Sequence, residues 1–381
     1  MEAYFDNAAT TRVADEVREL VERVMAIDYG NPSSRHQKGL EAGQYVKQAQ
    51  EVIANTLKVE PKEIVFTSGG TESNNLALIG GAMANQRRGK HIISTRIEHA
   101  SVYNPLLFLE EFGYEITFLN VNEQGIVDLE ELKNALRPDT ILVSVMMVNN
   151  EIGAIEPIEA IGKLIKNYNA DILFHVDAIQ AYGKMRIAPK RCKIDLLSVS
   201  GHKIHGPKGI GFLYIRDKVK VKPIIYGGGQ QKDMRYGTEN VPGIAGLGMA
   251  AKLMYTNHND KIAGIQQVKD AFLAGVTKLE GVTEHSGEAP HIASVSFQGI
   301  EKAEVLLHAL EAKGVYCSSG SACSSNHPAI SGTLEAIGLE KELLQATLRF
   351  SFSVYSTVEE AEYAVQVIAE ELPKRRAFVK R

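Results

Sequence analysis

The chain has 381 residues, a formal net charge of −4 and 44% hydrophobic residues, enough for a sizeable packed core. That length suits roughly two to three domains or one large domain with an appendage, and the charge gives no bulk electrostatic case for nucleic acid. No apolar run approaches the ~20 residues that span a bilayer, no leader is visible at the amino terminus, and 3 scattered cysteines make no disulfide framework. The expectation is a cytoplasmic protein with no membrane or nucleic-acid contact of its own.

Residues 4–11 read as a short extended start. Over 15–27, Val17, Leu20, Val21 and Val24 recur at helical spacing. Gly30-Asn31-Pro32-Ser33-Ser34 ends that helix, and a second is expected over 38–57. Residues 63–67 form a strand that meets Ser68-Gly69-Gly70-Thr71-Glu72-Ser73-Asn74-Asn75, and a helix follows. Strand, glycine turn and helix start together expose backbone N–H groups to a phosphate. The Walker lysine and the Gly-x-Gly-x-x-Gly spacing are absent, which argues against a nucleotide or dinucleotide. Simple capping by Thr71 or Ser73 is the plainer alternative.

Strands and helices then alternate. Strands are expected at 91–95, 115–119, 141–148, 172–176, 194–199 and 213–215, with helices at 129–136 and 158–168. Apolar strands alternating with amphipathic helices mean a mainly parallel sheet covered on both faces. Lys218, Lys220 and Lys222 alternate with valines, as on the wet face of an edge strand. One long helical stretch is expected over 242–279, then shorter mixed elements from about 285. The fold class is therefore α/β. Residues 15–257 are assigned to a large domain, and 1–14 with 258–381 to a smaller α+β domain.

Polar residues gather where strands end: Thr67, His99, Asn149, Asn150, Asp177 and Ser200. In open α/β sheets that edge binds ligands. Lys203 follows the strand ending at Ser200, inside a loop bounded by glycine and proline. A lysine with a lowered pKa makes Schiff bases, although in isolation a loop lysine is a solvated charge. A Schiff-base lysine, a phosphate cradle and an acid at a strand end are the parts that hold pyridoxal phosphate. No Cys/His spacing suggests a metal site.

In its motifs the chain resembles the fold-type I, class V pyridoxal-phosphate enzymes, and among them the NifS/IscS-type cysteine desulfurases. The resemblance runs nearly end to end. It rests on Asp6-Asn7-Ala8-Ala9-Thr10-Thr11, Gly30-Asn31-Pro32-Ser33-Ser34, Thr67-Ser68-Gly69-Gly70-Thr71-Glu72-Ser73, Glu98-His99 and Val148-Asn149-Asn150-Glu151-Ile152-Gly153. Downstream it rests on His175-Val176-Asp177-Ala178-Ile179-Gln180, Ser200-Gly201-His202-Lys203, Arg235-Tyr236-Gly237-Thr238, Ser318-Ser319-Gly320-Ser321-Ala322-Cys323 and Arg349-Phe350-Ser351.

The resemblance implies pyridoxal 5'-phosphate as cofactor and L-cysteine as substrate. Lys203 would carry the Schiff base and move protons at the substrate Cα. Asp177 would pair with the pyridine nitrogen, and Asn150 and Gln180 would hydrogen-bond the phenolic oxygen. His99 would stack on the ring and serve in acid–base steps. Gly70, Thr71, Ser200 and His202 would hold the phosphate, with Thr238 reaching in from the other protomer of a homodimer. Asn31 and Arg349 would bind the substrate carboxylate, a task that suits the guanidinium fork.

Cys323 decides the reaction. It stands among small polar residues, Ser318 to Asn326, in what reads as an exposed mobile loop where a thiolate can form and move. A transaminase has no use for such a thiol, whereas a desulfurase uses it to take sulfur as a persulfide and release alanine. Cys317 beside Val315 and Tyr316 reads as a strand-core residue, and Cys192 as incidental. The last helix is expected to end near Leu372, with the basic tail a solvated helix end. The sulfur acceptor stays open between an iron–sulfur scaffold and a tRNA-thiolation protein. The competing readings are a selenocysteine lyase or other class V enzyme, and a silent scaffold; the intact Lys203 and Asp177 argue against the latter.

Overall fold

Short apolar segments and the helices between them set the architecture, seen in a computed structural model that describes residues 1–319 and 331–379. The chain opens with β1 (Ala3–Tyr4), α1 (Asp15–Ala26) and α2 (Gln37–Leu57). The central sheet follows: β2 (Ile64–Thr67), β3 (His91–Thr95), β4 (Glu115–Leu119), β5 (Thr140–Met146), β6 (Leu173–Asp177), β7 (Leu196–Ser200) and β8 (Gly211–Ile215). Their spatial order is β2-β8-β7-β6-β5-β3-β4. Every residue of β2, β3, β5, β6, β7 and β8 is buried, as strands covered on both faces must be.

Between the strands run α3 (Gly70–Asn75), α4 (Gly81–Asn85), α5 (Ala100–Glu111), α6 (Leu129–Ala135) and α7 (Ile158–Tyr168). In α7, Ile158, Ile161 and Ile165 recur on one buried face, the pattern of a helix laid on a sheet. A π turn, Leu76–Gly80, joins α3 to α4. Such bulges often mark functional positions.

Four sequence expectations change. The strand over 211–215 does not extend the parallel series: β8 runs antiparallel to both β7 and β2. A short connection from β7 reverses the chain, and Gly211 lies opposite both Thr67 and Ser200. The expected single helix over 242–279 is two, α8 (Val241–Tyr255) and α9 (His258–Val276). Asn257 breaks them with a left-handed backbone, φ 50°. Lys218, Lys220 and Lys222 do point outward while Val219 and Val221 pack inward, but they form no strand. The last helix does not end near Leu372 and reaches Val379, and Arg376 docks on the carbonyls of Glu280, Gly281 and Gln298.

A second core gathers β9 (Val282–Glu284), β10 (Ile292–Phe297), α10 (Ala303–Glu311), β11 (Val315–Tyr316), β12 (Thr347–Ser351) and α13 (Val358–Val379), while Leu334 of α11 (Gly332–Ala336) and Leu344 of α12 (Lys341–Gln345) join a small separate cluster with Ile152 and Ala154. β1 pairs in parallel with β11, so the amino terminus is built into this unit. Phe5 packs edge-on against Phe352 with ring centroids 4.9 Å apart, and Phe272 packs on Phe350 at 4.5 Å. Each such buried ring contributes roughly 1.5–3 kcal/mol.

Candidate active site

The strand directions put the carboxyl ends of β2, β3, β5, β6 and β7 on one edge of the sheet. Asp177 closes β6 there and is buried. Its Oδ1 accepts from the Ile179 backbone at 2.9 Å, and its Oδ2 accepts from the Asn74 amide at 2.8 Å. Burial raises its pKa, and those two donors together with the charges of His99 and Lys203 oppose the rise. A carboxylate so placed gains from a cationic partner. Glu98 stands near it, accepting from Met146 N and Thr95 Oγ1, with a buried Oε2 that has no hydrogen-bond partner among the described residues. Burial first, and then the charge of Asp177, push the Glu98 pKa well above the usual carboxylate value.

Lys203 ends the 3-10 turn Gly201–Lys203 that follows β7. Its Nζ donates to the carbonyls of Ala8 at 2.5 Å and Ala9 at 2.6 Å. Gln180 donates to the same Ala8 carbonyl at 2.9 Å, and its own carbonyl lies 3.4 Å from His291 Nε2. His202 Nδ1 lies 3.2 Å from Thr10 Oγ1, and burial first, then the nearby lysines, lowers its pKa to about 4. The Asp6-to-Thr11 segment therefore lines the site that the sheet edge opens.

The glycine turn fits a phosphate cradle. A Cβ on Gly70 would lie 2.2 Å from Ile179 Cδ1 and 3.5 Å from Ser200 Cβ, so the backbone runs tight over both. Thr71 is exposed on the first helical turn, where backbone N–H groups have no helical partner. An open cleft of about 580 Å³ lies between this turn and the start of α5, lined by Thr71, Asn75, His99 and Ser101. His99 caps α5, its Nδ1 accepting from Ser101 N at 3.1 Å.

Arg349, on β12, is 4% exposed. It donates to the Asn150 carbonyl at 2.8 Å and to Asp6 Oδ1 at 3.0 Å, and its buried Nε has no hydrogen-bond partner among the described residues. Asn31 is exposed and its side chain accepts from Ser33 N at 2.9 Å within its own loop. Thr238 is exposed as well, in a segment tied to α3 by Arg235 and Glu72 at 2.9 Å.

Cys323 lies outside the described residues, but what flanks it does not. Ser318 pairs through its backbone with Arg349. Ser331 donates to Glu151, and Thr333 Oγ1 lies 3.2 Å from Asn149 Nδ2. The described residues on either side of Cys323 are thus fastened to the rim. Cys317 packs against the second core, and burial raises its thiol pKa, which keeps it a protonated thiol.

The family model described as class-V aminotransferase matches residues 3–363. The chain belongs to that family. It is 43% identical to a cysteine desulfurase IscS of Dictyoglomus turgidum, over 99% of this chain and 96% of that protein. A mitochondrial cysteine desulfurase of Saccharomyces cerevisiae is 42% identical, over 96% of this chain and 74% of that one. Among solved structures, a NifS-like protein superposes with a TM-score of 0.93 at 37% identity, covering 98% of this chain and all 100% of the other. A structure of SspA in complex with cysteine gives 0.83 at 36% identity, covering 93% and 100%. These neighbours share the fold-type I architecture described above.

The cofactor of this family is pyridoxal 5'-phosphate. The residues present fit it: a buried acid at a strand end, a lysine just after the next strand, and a glycine turn packed tightly over Ile179 beside Ser200. The sequence reading did not single out three buried residues that touch the predicted ones: Asn74, Ser101 and Lys184, whose Nζ donates to the Lys203 carbonyl. Asn74 stood in view within the glycine-turn motif, but only the fold shows that it faces Asp177.

Proposed function

We propose that this chain is a pyridoxal-phosphate-dependent cysteine desulfurase. It takes sulfur from L-cysteine, releases L-alanine and holds the sulfur as a persulfide on Cys323. The observation that carries the reading is that Asp177 and Lys203 sit at one sheet edge, Arg349 reaches its rim from β12 through the Asn150 carbonyl, and the residues flanking the Cys323 segment are fastened to the same rim.

When bound, the cofactor supplies the carbonyl for a Schiff base and an electron sink for the substrate carbanion. Lys203 provides the amine and moves the proton at the substrate Cα. Asp177 would balance positive charge at the ring nitrogen, Asn150 and Gln180 would hydrogen-bond the phenolic oxygen, and Gly70, Thr71, Ser200 and His202 would hold the phosphate. Arg349 takes the substrate carboxylate, and its buried Nε, which has no hydrogen-bond partner among the described residues, supports that role, since an unmet buried donor favours an anionic ligand. Asn31 joins it from the loop after α1. The Cys323 thiolate attacks the substrate sulfur; the C–S bond breaks, an S–S bond forms, and the carbon takes a proton. Cysteine plus enzyme thiol gives alanine plus enzyme persulfide, with no outside oxidant.

The same reading includes a symmetric dimer, in which Thr238 of one protomer completes the phosphate site of its partner. The exposed position of Thr238, and the exposed Ile225 and Tyr226 nearby, support it. It places cofactor binding in residues 15–257 and the cysteine segment in the smaller unit of 1–14 and 258–381. The persulfide passes to an acceptor protein of iron–sulfur assembly or tRNA thiolation. A cytoplasmic setting suits a chain whose reaction needs a reduced thiol. Among the described residues no helix is long and apolar enough to cross a membrane.

The test is a single turnover with L-cysteine. Alanine should appear in step with a persulfide that mass spectrometry places on Cys323. Cys323→Ser should keep cofactor and cysteine binding while sulfide release and sulfur transfer collapse. Normal alanine production by that variant, or a persulfide on Cys317 or Cys192, would sink the proposal. Turnover of selenocysteine alone would favour the lyase reading.

A further inference from the structure

Asn74 and Ser101 join the two ends of the site. Asn74 is fully buried on α3, and its amide nitrogen carries two hydrogens. One goes to Asp177 Oδ2 at 2.8 Å and the other to Ser101 Oγ at 2.9 Å. A hydroxyl that accepts from Asn74 keeps its own proton to donate. Its acceptor is His99 Nδ1, at 2.8 Å. The backbone N–H of Ser101 aims at the same nitrogen from 3.1 Å, and a peptide N–H can only donate.

We propose that Asn74 and Ser101 are positioning residues that hold His99 as a neutral imidazole with its proton on Nε2, through a chain of donors that begins at the Asp177 carboxylate. The chain takes its direction at Asp177. An ionised carboxylate only accepts, so Asn74 must present its NH₂; the flipped amide would set two acceptors face to face. Once the amide is fixed, so is the Ser101 hydroxyl, and the tautomer of His99 follows. The orientation has a cost, because Asn74 Oδ1 is buried with no hydrogen-bond partner among the described residues. An amide serving only to fill space would have no reason to bear it.

On the desulfurase reading, on which this consequence rests, His99 then offers the site a ring face and an Nε2–H hydrogen-bond donor. To become an imidazolium it needs a proton on Nδ1, where two donors already point. Proton transfer at the substrate Cα is left to Lys203. Among the described residues, Asp177 and Glu151 are acids within electrostatic reach of His99.

The test uses full-length protein labelled with ¹⁵N-histidine, both apo and loaded with cofactor. His99→Gln identifies the His99 signals among the 11 histidines. Wild type should show an unprotonated Nδ1 and a protonated Nε2 across about pH 6–8, within the range in which histidines ordinarily change charge. Ser101→Ala removes one donor from Nδ1 and should move the His99 protonation midpoint upward, while Ser101→Thr, which keeps the hydroxyl, restores it. In parallel kcat should fall about tenfold for Ser101→Ala, as for one lost hydrogen bond, with KM little changed. Protonated Nδ1 in wild type at neutral pH, or an unmoved midpoint in Ser101→Ala, overturns the proposal. The wild-type spectrum decides it even if Ser101→Ala does not fold. Because the spectra need no turnover, they stand apart from any failure of the desulfurase assay.

Discussion

Lys184 lies beneath Lys203, its buried ammonium group donating to the Lys203 backbone carbonyl. Burial, and then the charge of Lys203, lowers the Lys184 pKa from 10.5 to about 7. The unfolded chain therefore binds more protons than the folded one between pH 7 and about 10.5, and stability rises with pH across that window. Lys184→Met removes the titration. The melting temperature of the variant minus that of wild type should grow as pH falls from about 10 to 7, measured by thermal unfolding. A difference that stays flat with pH would show that Lys184 does not titrate there.

Gly70→Ala should weaken cofactor binding through a single contact. The new methyl would meet the far end of the Ile179 side chain, and the Ile179 backbone N–H holds Asp177. Ile179→Ala makes room. In a double-mutant cycle read by cofactor Kd, the pair should couple by about 1 kcal/mol or more. Additive losses would mean the glycine matters for another reason.

Arg349→Lys should raise KM for L-cysteine by about tenfold or more, since a lysine cannot make the bidentate contact. The same change strands Asp6, whose ion pair with Arg349 is lost, so the variant should also melt earlier. Steady-state kinetics with an unchanged KM would remove Arg349 from substrate binding.

Lys203→Ala should abolish turnover and the borohydride-reducible cofactor adduct, and Lys203→Arg should not restore them, because a guanidinium stays protonated. An adduct that survives in the alanine variant would move the Schiff base to another lysine.

Much of this was legible in the sequence. Apolar strand runs such as 141–146, ended by Asn149 and Asn150, announce both the sheet and its binding edge. The motif around Lys203 and the buried Asp177 announce the cofactor. What stayed hidden depends on long-range packing. The antiparallel course of β8 is set by its partners, since its apolar run reads the same in either direction. The break at Asn257 is one left-handed residue in an otherwise helical pattern. The pairing of Asn74 with Asp177 and Ser101 joins residues 103 and 27 positions apart, beyond any local period.

The carbonyls that hold Lys203 belong to Ala8 and Ala9, and the segment carrying them is itself held by Ser351, which takes the Asn7 amide at 2.9 Å and meets the Ala8 N–H at 2.8 Å. These partners lie 344 positions apart in the chain. During synthesis the Asn7 segment must wait, unpaired, until β12 has emerged, while the large sheet can already form from contacts closer in sequence. The lysine is therefore in place on its strand well before the strap that steadies it.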